Sequence, residues 1–314
     1  MKTLLIINPN SRGGKSALLA EKAMKHLRRK NIEFEAVFLT EFEDAYNFSV
    51  KANEENVGNI IAVGGDGTIN KVINGFYDDS GKIKSNCHFG VIYTGTSPDF
   101  CKSYGIPTDI IKASDIIINQ KTIKIPIGKI EFQQENRLKN RGDSVQSKYF
   151  ACCANIGLGA SLARKANSGI RSYAGDFLGT FISLLQILRT YRGTDYFVKI
   201  DNKSMELNNV YNISVGITKY IASGIKVFQA ENKPKSSFYL MKLSNLRFGN
   251  IPSMLKNIYS GKEFPNSTFL SIDYVKRIEI NNNSMNPEVE FDGDPAGSLP
   301  CSIEMAEDKL SLLT

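Results

Sequence analysis

Gly64-Gly65-Asp66-Gly67-Thr68-Ile69-Asn70 carries three glycines within four positions. It follows the apolar run Ile60 to Val63 and precedes a stretch holding Val72, Ile73 and Phe76, which reads as strand, glycine turn, helix. Glycines without Cβ let backbone N–H groups approach an anion closely, and the following helix aims its partially positive N-terminus at the same point. Phosphate is the natural occupant. A plain turn between strand and helix is the competing reading, but it needs only about one glycine. Asp66 then requires an account of its own. A carboxylate beside phosphates repels them unless it holds a cation, a sugar hydroxyl or a basic partner, so Asp66 points to Mg²⁺ or bound water.

Two better-known phosphate motifs fail by position. Gly14-Lys15-Ser16 imitates the end of a P-loop, yet Pro9 stands where the first glycine is required. The dinucleotide fingerprint started at Gly65 would need a glycine at Asn70. A second acidic motif, Asp292-Gly293-Asp294-Pro295, lies near the C-terminal end. Taken alone it is a turn between strands, since aspartate, glycine and proline are turn residues. Only two histidines, His26 and His88, and five cysteines are present. There is little material for a zinc site or a Ser/His/Asp triad, so catalysis falls to carboxylates. The cysteines form no C-x-x-C pair and read as reduced core residues, Cys152-Cys153 within an apolar run that looks like a buried strand.

A chain of 314 residues with 42% hydrophobic content has the size of two domains and enough apolar material for real cores. No apolar stretch reaches the roughly 18 residues that cross a bilayer. The N-terminal apolar run, Leu4 to Ile7, is too short for a signal peptide. We therefore expect a cytoplasmic protein without a transmembrane segment. The net charge of +7 fits an anionic partner: nucleotide, membrane surface or nucleic acid. The absence of a dense Lys/Arg tract argues against nucleic acid.

Short apolar runs at Leu4 to Ile7, Val37 to Leu39, Ile60 to Val63 and Phe89 to Ile92 alternate with helical stretches such as Ser16 to Arg29 and Asp109 to Asn119. That is the βαβα texture of a parallel sheet. From about residue 120 the texture turns to β-rich runs: Lys124 to Phe132, Tyr149 to Ile156, Tyr196 to Ile200 and Val210 to Ile217. The polar run Gln133 to Ser147 reads as a hairpin extension or loop. Tyr173 to Tyr191, apolar with basic ends, reads equally as a membrane-facing helix and as one packed on the second sheet.

Four segments together resemble the diacylglycerol kinase catalytic-domain family, which includes bacterial soluble lipid kinases and sphingosine kinases. They are Asn8-Pro9-Asn10-Ser11-Arg12-Gly13; Gly64 to Asn70 continuing to Val72 and Asn74-Gly75; Gly95-Thr96-Ser97-Pro98-Asp99-Phe100 leading to Gly105-Ile106-Pro107; and Asp292-Gly293-Asp294. The resemblance implies an α/β N-terminal nucleotide-binding domain, residues 1–122, and a mostly antiparallel β-sandwich C-terminal domain, residues 123–303, with the active site in the interdomain cleft. It leaves open a return of the chain end, 304–314, to the first domain. It implies ATP contacts from Asn8, Pro9, Asn10, Ser11, Arg12, Thr40, Gly64, Gly65, Asp66, Gly67, Thr68, Asn70 and Thr96, with Asp99 and Asp292 supporting. Thr40 also ends the run Val37 to Leu39, on the strand-end face where open α/β sheets bind ligands. Asp294 would be the general base, Asp66 a second catalytic carboxylate, and Mg²⁺ would arrive with ATP. The acceptor would be a diacylglycerol-like lipid at the inner face of the membrane, and a homodimer is open to the chain, as in relatives.

The chain departs from the family pattern at several places. Asp294 stands for the usual glutamate, Pro98 for an asparagine, and Tyr93 for a proline. Lys233-Pro234-Lys235-Ser236-Ser237-Phe238 occupies the place of an acidic segment that helps hold a structural Mg²⁺, and Gly157-Leu158-Gly159-Ala160 replaces Gly-Phe-Asp-Ala. We therefore expect that structural Mg²⁺ site to be absent or altered. Two other readings compete: an NAD kinase, which shares the Gly-Gly-Asp-Gly-Thr turn, and a degenerate family member that binds nucleotide or lipid without turnover.

Overall fold

The computed structural model describes residues 2–134, 144–165, 191–221, 225–227, 233–253, 256, 267, 269–282 and 288–314. The chain forms two compact units, residues 1–127 with 306–314, and residues 128–305.

In the first unit the elements alternate: β1 (Thr3–Ile7), α1 (Lys15–Arg29), β2 (Phe34–Phe38), α2 (Asp44–Glu54), β3 (Asn59–Gly64), α3 (Asp66–Phe76), β4 (His88–Tyr93), α4 (Asp99–Tyr104), α5 (Ile110–Asn119) and β5 (Thr122–Ile125). The last strand of the chain, β18 (Leu310–Leu313), joins them, and the sheet order is β2-β1-β3-β4-β18-β5. The strands β1 to β4 are parallel. β1 and β3 are buried at every residue because helices cover both faces of the sheet. Helix α1 buries Ser16, Ala20, Ala23, Met24 and Leu27, a stripe at helical spacing. Asp109 starts α5 by accepting hydrogen bonds from the N–H groups of Ile111 and Lys112. Gly75 lets α3 approach α2 closely, since a Cβ there would lie 2.4 Å from Ser49 Oγ.

The second unit runs β6 (Gly128–Gln134), β7 (Ser144–Phe150), β8 (Cys153–Gly157), α6 (Leu158–Lys165), β9 (Thr194–Ile200), β10 (Lys203–Gly216), β11 (Tyr220–Ile221), β12 (Ile225–Lys226), β13 (Phe238–Ser244), β14 (Leu270–Val275), β15 (Arg277–Asn281), β16 (Glu288–Phe291) and β17 (Asp294–Met305). Its main sheet is antiparallel, in the order β14-β13-β10-β8-β16-β17-β15-β9. β9 also pairs with β10, so the sheet closes on itself around a core that includes Ile130, Phe150, Ile156, Tyr196, Phe238 and Ile303.

Two runs that read as single strands are each divided. Lys124 to Phe132 splits between β5, which pairs with β18 in the first sheet, and β6, which pairs with β17 in the second. Tyr149 to Ile156 is interrupted between Phe150 and Cys153, where three backbone N–H groups turn to the Asp292 carboxylate. Gln133 to Ser147 includes the facing ends of the β6–β7 hairpin, and its tip lies outside the described residues, as does Tyr173 to Tyr191 except for Tyr191. All five cysteines are buried and free. No helix among the described residues is long and apolar enough to cross a membrane.

Candidate functional site

Consecutive parallel strands release their loops at one edge of the sheet, and the order β2-β1-β3-β4 puts a topological switch point between β1 and β3, where open α/β sheets bind ligands. Asn8 follows β1 and the glycine turn follows β3 on that edge. Gly65 caps α3 from an extended conformation with no side-chain hydrogen bond, so no side chain from the cap occupies the first-turn amides. The turn is held from several sides. Asn8 Nδ2 donates to Thr68 Oγ1 at 3.1 Å, and the Asn8 N–H donates to the Val63 carbonyl at 2.9 Å. The neighbouring loop comes so near that a Cβ on Gly95 would lie 2.6 Å from the Gly65 Cα. A Cβ on Gly64 would lie 2.4 Å from Thr68 Oγ1.

Tyr93, at the end of β4, ties these loops together. Its hydroxyl donates to Asp66 Oδ2 at 3.2 Å and accepts from the Ser97 N–H at 2.9 Å. Burial and the nearby Asp66 charge push its hydroxyl pKa upward, so it stays a neutral donor. The same two causes raise the Cys101 thiol. Ser16 Oγ and Thr94 Oγ1 share a buried hydrogen bond of 2.7 Å. This explains why Gly14-Lys15-Ser16 is not a P-loop: its hydroxyl is committed inside the fold. The loop before α1 holds Arg12, Gly13 and Gly14 at φ of 53°, 63° and 86°. Holding the non-glycine Arg12 in the left-handed region costs about 1 kcal/mol, so the loop has a defined shape.

The remaining residues expected to meet ATP are distributed less evenly. Pro9 and Ser11 are half-buried, while Asn10, Arg12 and Thr96 are exposed. Gly67 sits in the first turn of α3. Thr40 is exposed just past β2, on the same strand-end edge, with its N–H donating to Asp44 Oδ2. Asn70 is one turn into α3, 3% exposed, and its Oδ1 accepts from Asn74 Nδ2. Its side chain therefore braces the helix from within. Asp99 opens α4 and is also buried.

In the second unit, Asp292 and Gly293 are the two central residues of a tight hairpin in which Phe291 pairs with Asp294. Both have positive φ, 50° and 91°, as a type I′ turn requires. The turn reading of this motif is thus right, and it is only part of the account. Asp292 Oδ2 accepts from the Ala151 N–H at 2.7 Å, and Oδ1 accepts from Cys152 at 2.8 Å and Cys153 at 3.1 Å. That carboxylate is a structural acceptor. Asp294 is half-buried at the start of β17, and a bulge at Ala296 follows it, since Glu290 pairs with Pro295 and Val289 with Gly297.

Beneath the turn lies Glu290, 4% exposed. Burial pushes its carboxyl up to about 8, the charges of Asp292 and Asp294 adding to the effect while hydrogen bonds from Asn155 and Gly293 oppose it. Sequence reasoning missed Glu290, because a glutamate within Glu288-Val289-Glu290-Phe291 reads as the wet side of an alternating strand. Asn155 left a trace: it is an amide inside the apolar run Tyr149 to Ile156.

Residues 2–130 match the family model of the diacylglycerol kinase catalytic domain. The chain is 23% identical over 310 residues to a diacylglycerol kinase of Staphylococcus carnosus, covering 99% of this chain and 94% of that protein. It is 25% identical over 301 residues to one of Staphylococcus aureus, covering 95% and 87%. A crystal structure of a diacylglycerol kinase from Bacillus anthracis superposes with a TM-score of 0.70 at 20% identity, over 99% of this chain and 96% of that one. That structure shares the fold of both units. Residues 2–130, which contain the glycine turn and the loops bonded to it, are thus similar to the diacylglycerol kinase catalytic domain.

Proposed function

We propose that the protein is an ATP-dependent lipid kinase that transfers the γ-phosphoryl group to a hydroxyl of a diacylglycerol-like lipid at a membrane surface, giving a phosphatidate-type product. The observation that carries this reading is the glycine turn: an uncapped helix N-terminus at the switch point of the sheet, locked by Asn8 and Tyr93, with a carboxylate at its mouth. Backbone N–H groups there suit phosphate oxygens. Asp66 is the oxygen donor a hard cation would take, so the residues fit Mg²⁺ brought by the nucleotide. When bound, that ion would offset charge on the phosphates.

Between the two aspartates of the hairpin, Asp294 is the better candidate base. Both oxygens of Asp292 already serve three backbone donors, so protonating it would weaken those bonds. Asp294 would accept the proton of the lipid hydroxyl as oxygen attacks the γ-phosphorus in line. Because the transferring group is loosely bonded at the transition state, the proton leaves late, and positioning contributes more than base strength.

The test is label transfer from γ-labelled ATP with Mg²⁺ to a panel of mixed-micelle lipids and to NAD, using wild type, Asp294→Ala and Asp66→Ala. Label in a lipid, reduced by roughly 10²-fold or more in each variant, is the expected result. Label in NAD would support the NAD kinase reading instead. ATP binding with no transfer to any acceptor would leave a nucleotide-binding protein without turnover.

A further inference from the structure

Glu290 is the most deeply buried carboxylate among the described residues, and the hairpin has other anchors besides it. The Asp292-Gly293 pair already suits a type I′ turn, and Asp292 anchors the turn to the start of β8 through three hydrogen bonds. An apolar side chain at a buried position generally costs the fold no more than a carboxylate does.

The contacts of Glu290 lead elsewhere. Its Oε1 accepts from the Gly293 N–H at 2.6 Å, so it holds the residue immediately before Asp294. Its Oε2 accepts from Asn155 Nδ2 at 2.8 Å. Asn155 Oδ1 in turn accepts from Ser214 Oγ at 2.6 Å and from Asn212 Nδ2 at 3.4 Å. Asn212 Oδ1 accepts from the Gly159 N–H at 2.7 Å, in the first turn of α6. A continuous polar path thus runs from the chain beside Asp294, across β16, β8 and β10, to the N-terminus of α6.

We propose that Glu290 is a positioning residue for Asp294: by holding the Gly293 N–H and Asn155 together, it fixes the direction in which the Asp294 carboxylate leaves the hairpin. This role rests on the lipid kinase reading with Asp294 as base.

Glu290→Gln tests it with nearly the same shape. A glutamine presents one acceptor oxygen, so it cannot accept from both Gly293 and Asn155. We expect kcat to fall about tenfold, as loss of alignment by a fraction of an ångström does, with the KM for ATP unchanged and the thermal midpoint lowered modestly, since one buried donor loses its acceptor. In an Asp294→Ala background the same substitution should alter the residual kcat less than about twofold, because the two act through one group. Undiminished kcat in Glu290→Gln would overturn the positioning role. So would a tenfold loss that persists without Asp294. Wild-type protein that phosphorylates no lipid would overturn the kinase reading itself and this role with it.

Discussion

At Asp292 the carboxylate accepts from three backbone N–H groups, and at Asp294, one glycine later, the side chain stands half-buried at the head of a strand. The same residue type therefore serves two ends, and stability separates them. Asp292→Ala strands three backbone N–H groups, and we expect urea unfolding to report a loss of about 3 kcal/mol. Asp294→Ala should fall within about 0.5 kcal/mol of wild type, while losing the transfer reaction. If Asp294→Ala proved the less stable of the pair, its assignment as a chemical rather than structural group would fail. The sequence alone could not rank them, because it shows two aspartates in a turn and hides that the donors come from residues about 140 positions earlier.

Loops and strand ends form the next scale. The glycine turn was legible because crowding asks for glycine: a Cβ at Gly64 would run into the Thr68 side chain, and one at Gly95 into the Gly65 backbone. The runs flanking it were legible too, as burial on both faces of a parallel sheet leaves continuous apolar strings. What joins the loops was not legible. Tyr93 stands out in the sequence only as a departure from the family's proline, yet its hydroxyl bridges the first turn of α3 and the loop after β4. Tyr93→Phe removes that bridge while keeping the ring. We expect nucleotide affinity to fall about fivefold, or about 1 kcal/mol, for one lost hydrogen bond, measured by titration with a fluorescent ATP analogue. Unchanged affinity would mean that Asn8 and the Gly65–Gly95 approach suffice to hold the site. The broken β7–β8 run teaches the converse point: hydrophobicity marked Tyr149 to Ile156 as strand, and a distant carboxylate decided where it stops.

For the whole molecule, the division into two units follows contacts rather than chain order. Strand β18 lies between β4 and β5, parallel to one and antiparallel to the other, although about 200 residues separate it from either. Leu310, Leu312 and Leu313 are fully buried there. Leu312→Ala should therefore destabilise the first unit by about 3 kcal/mol, seen as a lowered urea midpoint. A loss under about 1 kcal/mol would show that β18 contributes little to that sheet. The two-domain plan and the sheet types could be read from texture, because periodicity reports burial on one or both faces. The path of the final strand could not, since a short apolar run carries no address.

The position of β18 also sets an order in time. A growing chain usually completes its N-terminal domain first, as residues emerge from the ribosome at about 5–20 per second. Here the sheet that carries Asn8, Asp66 and Tyr93 still lacks an interior strand when residue 305 has been made. The second unit, continuous from 128 to 305, has all of its strands by then. Synthesis therefore delivers the hairpin of Asp292 and Asp294 before the sheet that carries the glycine turn can close, and a nascent chain halted short of β18 would hold the proposed base without a finished sheet beneath the proposed phosphate site.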